Sequence, residues 1–289
     1  MVTKIAVLAV VLIMSGCASK KAIILEGAEG EKARSLSSKA FSCYKSCNFK
    51  EALNYYQEAL RINEGIDNRE ATAGNLNNIG SIYEAKEDAD MALTYYQEAL
   101  RINKEIGNQK GMAGNLNNLG SIYEAKEDLE MALSYYRKAL KIDKEIKDKR
   151  GLAIRLNNIG FIHHSLGKSE EALSYYQEAL AINEETKNLE ALSCNLNNLA
   201  GIYKEQGDPE KALDYYRQAL SIDKRIENQK GISSDLTNIG HLYESIKEFE
   251  KALDYYRRAL KINERLGLKE RMAKDLDNIK KVDRLKAED

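Results

Sequence analysis

Residues 92–100 read Ala-Leu-Thr-Tyr-Tyr-Gln-Glu-Ala-Leu, and variants of this segment recur along most of the chain. The segment begins every 40 residues, at Ala52, Ala92, Ala132, Ala172, Ala212 and Ala252. Its six Tyr-Tyr pairs hold 12 of the 17 tyrosines, and the other five also fall within the repeat. A fixed period of this length predicts a chain of repeated structural units.

Each unit also contains a second apolar pattern upstream of the Tyr-Tyr pair. Leu76, Ile79, Gly80 and Tyr83 are spaced i, i+3, i+4 and i+7, which is one stripe of a helix. We therefore predict helices over about residues 70–85 and 90–106, with a turn at 86–88. Small residues at Gly80 and Ala92 allow the two helices to pack closely as an antiparallel pair. The glycine recurs at 40-residue steps at Gly80, Gly120, Gly160 and Gly240, with Ala200 between.

Helix boundaries and composition agree with a helical chain. Gly107-Asn108 predicts the end of a helix, and Asp208-Pro209 predicts a helix start with proline at the first helical position. The chain contains a single proline, and 31% of its residues are charged, with a net charge of -1. Positive and negative residues alternate, so the basic stripe of a nucleic-acid-binding protein is missing from the sequence.

This pattern resembles the tetratricopeptide repeat (TPR) family. The matching positions are Ile79-Gly80, Tyr83, Ala92, Tyr96 and Ala99. Leu76 replaces the usual tryptophan, and Lys104 stands where a proline would end the helix. The longer period is similar to that of kinesin light chains and of the LGN/Pins polarity adaptors. The resemblance implies an all-α fold, a right-handed α-solenoid of antiparallel helix pairs.

The repeat divides the chain into four predicted segments. Residues 1–16 are assigned to a signal peptide, 17–30 to a linker, 31–268 to six TPR units and 269–289 to a capping helix. The last segment keeps the register through Leu276 and Ile279 but has Lys280 in the glycine position. A final helix of this kind is expected to cover the last apolar face of a solenoid.

The N-terminus predicts export. Ile5 to Met14 is an apolar run that is too short to span a bilayer. Met14-Ser15-Gly16-Cys17 resembles a bacterial lipobox, although leucine is usual at the position of Met14. We therefore expect a palmitate-bearing lipoprotein of the bacterial cell envelope, lipidated at Cys17. Cleavage after Ala18 and an uncleaved membrane anchor are the alternatives.

The remaining cysteines predict no disulfide framework. Cys43 and Cys47 are four residues apart in a predicted helix, where a disulfide would be strained. No histidine lies nearby to complete a zinc site, so no metal or cofactor is expected. We interpret Cys43, Cys47 and Cys194 as small residues that fill the core.

Paired asparagines form the candidate binding surface. In the second unit, Asn77 and Asn78 lie opposite the apolar stripe, near the small residues Gly74 and Ser81. The columns comprise Asn77, Asn117, Asn157 and Asn197, and Asn78, Asn118, Asn158, Asn198 and Asn238. Amides both donate and accept hydrogen bonds, so they could hold an extended peptide. Related TPR proteins use the Asn78 position in this way. Alternatively, the amides bond between adjacent helices, or they are retained from recent duplication.

The fourth unit departs from the small-residue pattern. Ile154, Phe161 and His164 replace Gly74, Ser81 and Glu84 of the second unit. We interpret Phe161 and His164 as a specificity pocket for a partner's side chain. Alternatively, Phe161 packs against the neighbouring unit. His163 falls in the tyrosine column and is expected in the core.

The sequence therefore predicts a protein-binding scaffold that presents a concave groove to peptide segments of other proteins. We find no phosphate-binding loop and no nucleophile–base motif, so we predict that the protein is not an enzyme. Membrane contact is expected only through the lipid anchor. The alternatives are a self-associating structural protein, with homo-oligomers, or a regulatory subunit of an enzyme complex.

Overall fold

The structure is a computed structural model that describes residues 27–288, and in this part of the chain it contains 13 helices and no strand. The first helix, α1, covers residues 27–45. The others are α2 Phe49–Gly65, α3 Arg69–Ala85, α4 Ala89–Glu105, α5 Gln109–Ala125, α6 Leu129–Glu145, α7 Lys149–Ser165, α8 Ser169–Thr186, α9 Leu189–Glu205, α10 Pro209–Arg225, α11 Gln229–Ser245, α12 Phe249–Leu266 and α13 Lys269–Glu288.

Every turn between helices has the same backbone conformation at one position. One turn residue has a left-handed φ, as at Glu87 (φ 61°) and Gly107 (φ 69°), and the next such residue follows 20 positions later. At most turns an Asn or Asp then caps the following helix, as where Asp88 accepts a hydrogen bond from the Met91 N–H. Lys168 and Glu248 stand at this position before α8 and α12 and make no side-chain cap bond. The predicted helix end at Gly107 is confirmed, and Asn108 caps the next helix. The predicted start at Asp208-Pro209 is also confirmed.

The two tyrosines of each pair have different roles. Tyr96 lies against Gly80, where an added Cβ would approach the Tyr96 ring to 2.7 Å. Ala92 is fully buried beside it, so the close approach predicted for small residues is confirmed. Tyr95 instead stacks on Tyr83, with ring centroids 5.4 Å apart. Tyr96 therefore packs between the two helices, and Tyr95 makes the ring contact beside it.

The chain forms two compact units, Met1–Ile142 and Asp143–Asp289. In the first unit, Tyr56 and Ile79 join α2 and α3 in one core cluster. In the second unit, a larger cluster joins α10 to α13, and the α13 residue Val282 is fully buried in it. The predicted all-α class of tandem antiparallel helix pairs with a final helix is confirmed.

Two sequence interpretations need comment. Residues 27–30, which we assigned to the linker, already belong to α1, because Ala28 and Glu29 favour a helix. The interpretation of all three cysteines as core residues was wrong. Cys43 is half-buried against the first core, but Cys47 and Cys194 are exposed. Cys47 lies in a turn at φ 57°, and Cys194 lies on α9 in the column of Gly74 on the first helices.

The predicted signal peptide and Cys17 lie outside the described residues. Within residues 27–288, every helix is too short or too polar to cross a membrane.

Candidate functional site

The candidate site lies on the first helices of the pairs, the odd-numbered helices. We use the term first-helix face for the surface at the positions of Gly74, Asn77, Asn78 and Ser81 in these helices. In Met1–Ile142 this face contains a cavity of about 320 Å³. Its lining includes Gly74, Asn77, Asn78, Gly114, Asn115 and Asn118. No atom lies within 4 Å of a Cβ added at Gly74 or Gly114, so the glycine positions are open.

In this cavity Asn77 ties two consecutive first helices together. Its Oδ1 accepts hydrogen bonds from Asn118 Nδ2 at 2.8 Å and from Asn115 Nδ2 at 2.9 Å. Asn117 Nδ2 reaches Asn118 Oδ1 only at 3.5 Å, the limit of a hydrogen bond. The Asn77 amide oxygen is therefore used within the fold, as the alternative interpretation of the asparagines expected.

The same bonds recur in Asp143–Asp289. Asn157 Oδ1 accepts from Asn198 Nδ2 at 2.9 Å and from Asn195 Nδ2 at 3.2 Å. One unit further on, Asn197 Oδ1 accepts from Asn238 Nδ2 at 3.0 Å. Asn198 and Asn238 thus each give one amide hydrogen to the preceding helix. A carboxamide has two hydrogens and one acceptor oxygen, so part of each group can still serve a ligand. Asn158 is half-buried in the same column of α7.

A buried polar ladder behind this face was missed by the sequence analysis. Asn103 Nδ2, at the end of α4, donates to Asn115 Oδ1 at 2.7 Å, and both side chains are buried. At the matching position of α12 and α13, Asn263 Nδ2 donates to Asp275 Oδ2 at 2.7 Å. The 40-residue recurrence of Asn75, Asn115 and Asn195 was the signal that could have revealed it. It was overlooked because polar residues on the buried side break the apolar stripe.

Glutamates on the first-helix face are held by the tyrosines beneath them. Tyr96 Oη donates to Glu84 Oε2 at 2.6 Å, and Ser121 Oγ of the next first helix donates to Glu84 Oε1 at 2.8 Å. Tyr136 Oη makes the same bond to Glu124 Oε2 at 2.7 Å. The core tyrosines therefore position charges on the face that we predicted as the groove.

The predicted specificity pocket is an exposed apolar area on α7. Phe161 is 40% exposed and Ile154 is 41% exposed, although both are large apolar residues. His164 Nε2 lies 2.8 Å from Glu205 Oε2 of the next first helix. His163 is buried beside Tyr175, with ring centroids 5.1 Å apart, as expected for a core residue.

A second cavity lies at equivalent repeat positions beside the last helix, α13. A cavity of about 210 Å³ lies between α11 and α13 and is lined by Thr237, Asn238, Asn263, Arg271, Lys274 and Asp275, among others. In the 40-residue register, Arg271 and Lys274 correspond to Gly111 and Gly114 of the first cavity. The last cavity therefore has basic side chains where the first has glycine.

Comparison with known families decides the classification. The tetratricopeptide repeat model matches residues 31–105, 111–185 and 191–265. The chain belongs to the tetratricopeptide repeat family. Members of this TPR family generally act as protein-interaction scaffolds, and this chain is one by its fold. No curated protein matches it.

Solved structures share the TPR fold at low sequence identity. A Rap protein complexed with competence and sporulation factor is 19% identical, with a TM-score of 0.65 over 89% of this chain and 76% of that one. BtubC (BKLC) from P. vanneervenii is 22% identical, with a TM-score of 0.59 over 83% and 92%. Aspartyl phosphate phosphatase F from Bacillus subtilis is 15% identical, with a TM-score of 0.66 over 89% and 72%. These likenesses establish the fold alone.

One step of the TPR polar ladder consists of two acids. Asp223 at the end of α10 and Asp235 on α11 are both buried. The same step is two amides at Asn103 and Asn115, an amide and an acid at Asn263 and Asp275, and an ion pair at Asp143 and Arg155. Asn197 Nδ2 donates to Asp235 Oδ1 at 2.6 Å. Burial, and after it the neighbouring Asp223 carboxyl group, raise the pKa of Asp235 to about 7. The stability of this step of the ladder therefore depends on pH.

We predict that Asp235→Asn stabilises the protein above pH 7. A raised pKa means that the folded protein keeps a proton that the unfolded chain loses above about pH 4. Stability contributed by Asp235 therefore falls as the pH rises from about 4 through 7. The amide removes this loss, and we expect a gain of roughly 1–3 kcal/mol at pH 8. Thermal unfolding of both proteins from pH 5 to pH 8 measures it. Equal pH profiles would contradict the assignment.

Proposed function

We propose that the protein is a non-catalytic adaptor that binds an extended segment of another protein on its first-helix face. The observation that carries the proposal is the cavity over Gly74 and Gly114, where Asn78 and Asn118 present amide groups. An extended peptide exposes backbone N–H and C=O groups at regular spacing, and each needs a partner when it is bound. Carboxamides supply both donors and acceptors.

Open glycine positions support backbone binding in particular. A side chain at Gly74 or Gly114 would fill the cavity and keep a peptide backbone away from the amides. In the fourth repeat unit, which lies in Asp143–Asp289, Phe161 and Ile154 replace this open floor with exposed apolar surface. We propose that these two residues and His164 contact an apolar side chain of the bound segment. The backbone contacts would then give affinity, and this apolar area would give selectivity.

Similar solved structures support a binding role. One of them is itself a complex, of a Rap protein with competence and sporulation factor. Another is an aspartyl phosphate phosphatase, so the fold also occurs in proteins named for catalysis. Among the described residues, no cluster of three or more His, Cys, Asp or Glu side chains is arranged for a metal ion. We favour binding because the polar lining of the first cavity consists of asparagine amides, with Glu70 as its single titratable residue.

We also propose that the protein is exported and anchored to the bacterial cell envelope through a lipid on Cys17. The motif Met14-Ser15-Gly16-Cys17 after an apolar run supports this proposal. Growth of the host with a labelled fatty acid should label the parent protein but not the Cys17→Ser variant. Equal labelling of the two proteins would contradict lipidation at Cys17.

The adjacent residues Asn77 and Asn78 give a matched test of the binding proposal. Peptides are first selected from a display library of random unstructured sequences with the parent protein. We expect Asn78→Ala to bind the selected peptides about tenfold more weakly, because one or two amide hydrogen bonds are lost. Its thermal stability should stay the same or rise slightly, because alanine is the better helix former.

Asn77→Ala is the control for the structural role of the amides. It removes the acceptor for Asn115 and Asn118, and Asn115 is buried. We expect a loss of about 1–3 kcal/mol in stability, because a buried donor is left without a partner. Fluorescence anisotropy measures affinity, and thermal unfolding measures stability. Unchanged peptide affinity in Asn78→Ala would contradict the proposal.

A further inference from the structure

The first-helix face becomes basic at the C-terminal end of Asp143–Asp289. A cavity of about 580 Å³ opens there on α9, α11 and α13. Its charged lining residues are Lys204, Glu244, Lys247 and Lys281, with His241 between them. The apolar side chains of Phe249 and Leu285 complete the lining. Three lysines therefore share one recess with a single carboxylate.

The carboxylate in this cavity is fully engaged. Lys281 Nζ lies 2.5 Å from Glu244 Oε1, and Tyr256 Oη donates to Glu244 Oε2 at 2.7 Å. Both oxygens of Glu244 are thus occupied by groups of the protein itself. Lys204 faces no second acid in the lining, so the recess, with three lysines and one carboxylate, has a positive net charge.

The histidine is affected by the same charge. Burial lowers the pKa of His241, and Lys204 and Lys281 lower it further, while Glu244 opposes them. Its Nδ1 lies 2.6 Å from Tyr256 Oη, whose hydrogen goes to Glu244. His241 is therefore neutral at pH 7 and adds no positive charge of its own.

The basic residues are specific to this end of the repeat register. Lys204 occupies the position of Glu84 and Glu124, and Lys281 occupies that of Ser121. In the adjoining cavity of about 210 Å³, Arg271 and Lys274 replace glycines.

One of these side chains is held in place. Arg271 Nη1 donates to the Lys230 carbonyl at 3.1 Å and lies 3.0 Å from Ser234 Oγ. Residues 271, 274 and 281 thus give α13 one basic side, directed into two cavities.

We propose that this basic end binds the carboxylates of an acidic stretch within the partner's segment. The inference rests on the proposed function and adds the chemistry of one part of the ligand. Lys204 and Lys281 would meet Asp or Glu side chains in the larger cavity, and Lys274 would meet another in the smaller one. The recess favours a peptide over a membrane surface, because these cations line cavities between helices and Lys274 shares its cavity with Asn238 of the amide column.

The test compares peptides selected by two forms of the purified protein. Display selection with the parent should enrich Asp and Glu toward one end of the peptides. The Lys204→Gln/Lys281→Gln variant should select peptides without this enrichment. For a synthetic peptide from the parent selection, we expect roughly threefold to tenfold weaker binding to the variant, because exposed ion pairs are individually weak. Changing the acids of that peptide to Gln should have the same effect on the parent.

Two controls keep the result interpretable. Lys281→Gln leaves Glu244 without its ion pair, so Lys204→Gln alone is measured as well, with thermal unfolding for every variant. Lys269→Gln/Lys280→Gln removes the same charge from α13 at positions that do not line the larger cavity. This control variant should bind the acidic peptide as the parent does.

Each other outcome overturns the inference in a distinguishable way. Selected peptides without acidic preference would exclude the acidic ligand and leave the proposed function intact. No selected peptide at all would contradict both. Parent protein that binds phosphatidylserine vesicles through Lys204 and Lys281, with no preference among peptides, would assign the basic end to a membrane surface instead.

Discussion

In four of the six helix pairs, the contact between a glycine on the first helix and a buried tyrosine on the second sets the geometry. At Gly120, an added Cβ would lie 2.6 Å from the Tyr136 ring, so the two helices are as close as their backbones allow. The fifth pair has Ala200 at this position and still buries Tyr216, so one methyl group can be accommodated by a local shift. Because the apolar side of each first helix is used in this contact, its opposite side is left to carry polar groups toward the first-helix face.

The asparagines on that side serve two purposes at once. Asn77 and Asn157 each accept two hydrogen bonds from the next first helix, which fixes the register of neighbouring units. In the column of Asn78, Asn118, Asn198 and Asn238 each give one hydrogen to this network. The network explains why a residue that disfavours helices recurs in helix interiors. Neighbouring amides have different partners. The effects of an asparagine on binding and on stability must therefore be measured for each residue.

Sequence predicted the helix pairs, their turns and the small-residue contact, because these depend on local pattern repeated six times. It also predicted which side of the first helix carries the asparagines. It did not reveal the buried ladder of Asn103 and Asn115, because a polar residue on a packed face interrupts the apolar stripe by which a buried helix face is recognised. It also misplaced Cys194, whose exposure depends on its column rather than on residue type. Whether an amide bonds to a neighbouring unit or to a ligand depends on distances between helices, and a single sequence does not contain them.

We propose that a partner segment lies along the first-helix face, and the exposed thiol of Cys194 provides a direct probe for it. Cys194 occupies the column of Gly74, and with Cys17, Cys43 and Cys47 changed to serine it is the single thiol of the chain. The rate at which a thiol reagent modifies it is measured with and without a saturating amount of a peptide selected by the parent protein. We predict that the reagent modifies Cys194 markedly more slowly when the peptide is bound. An unchanged rate, with binding confirmed by anisotropy, would place the peptide elsewhere on the molecule.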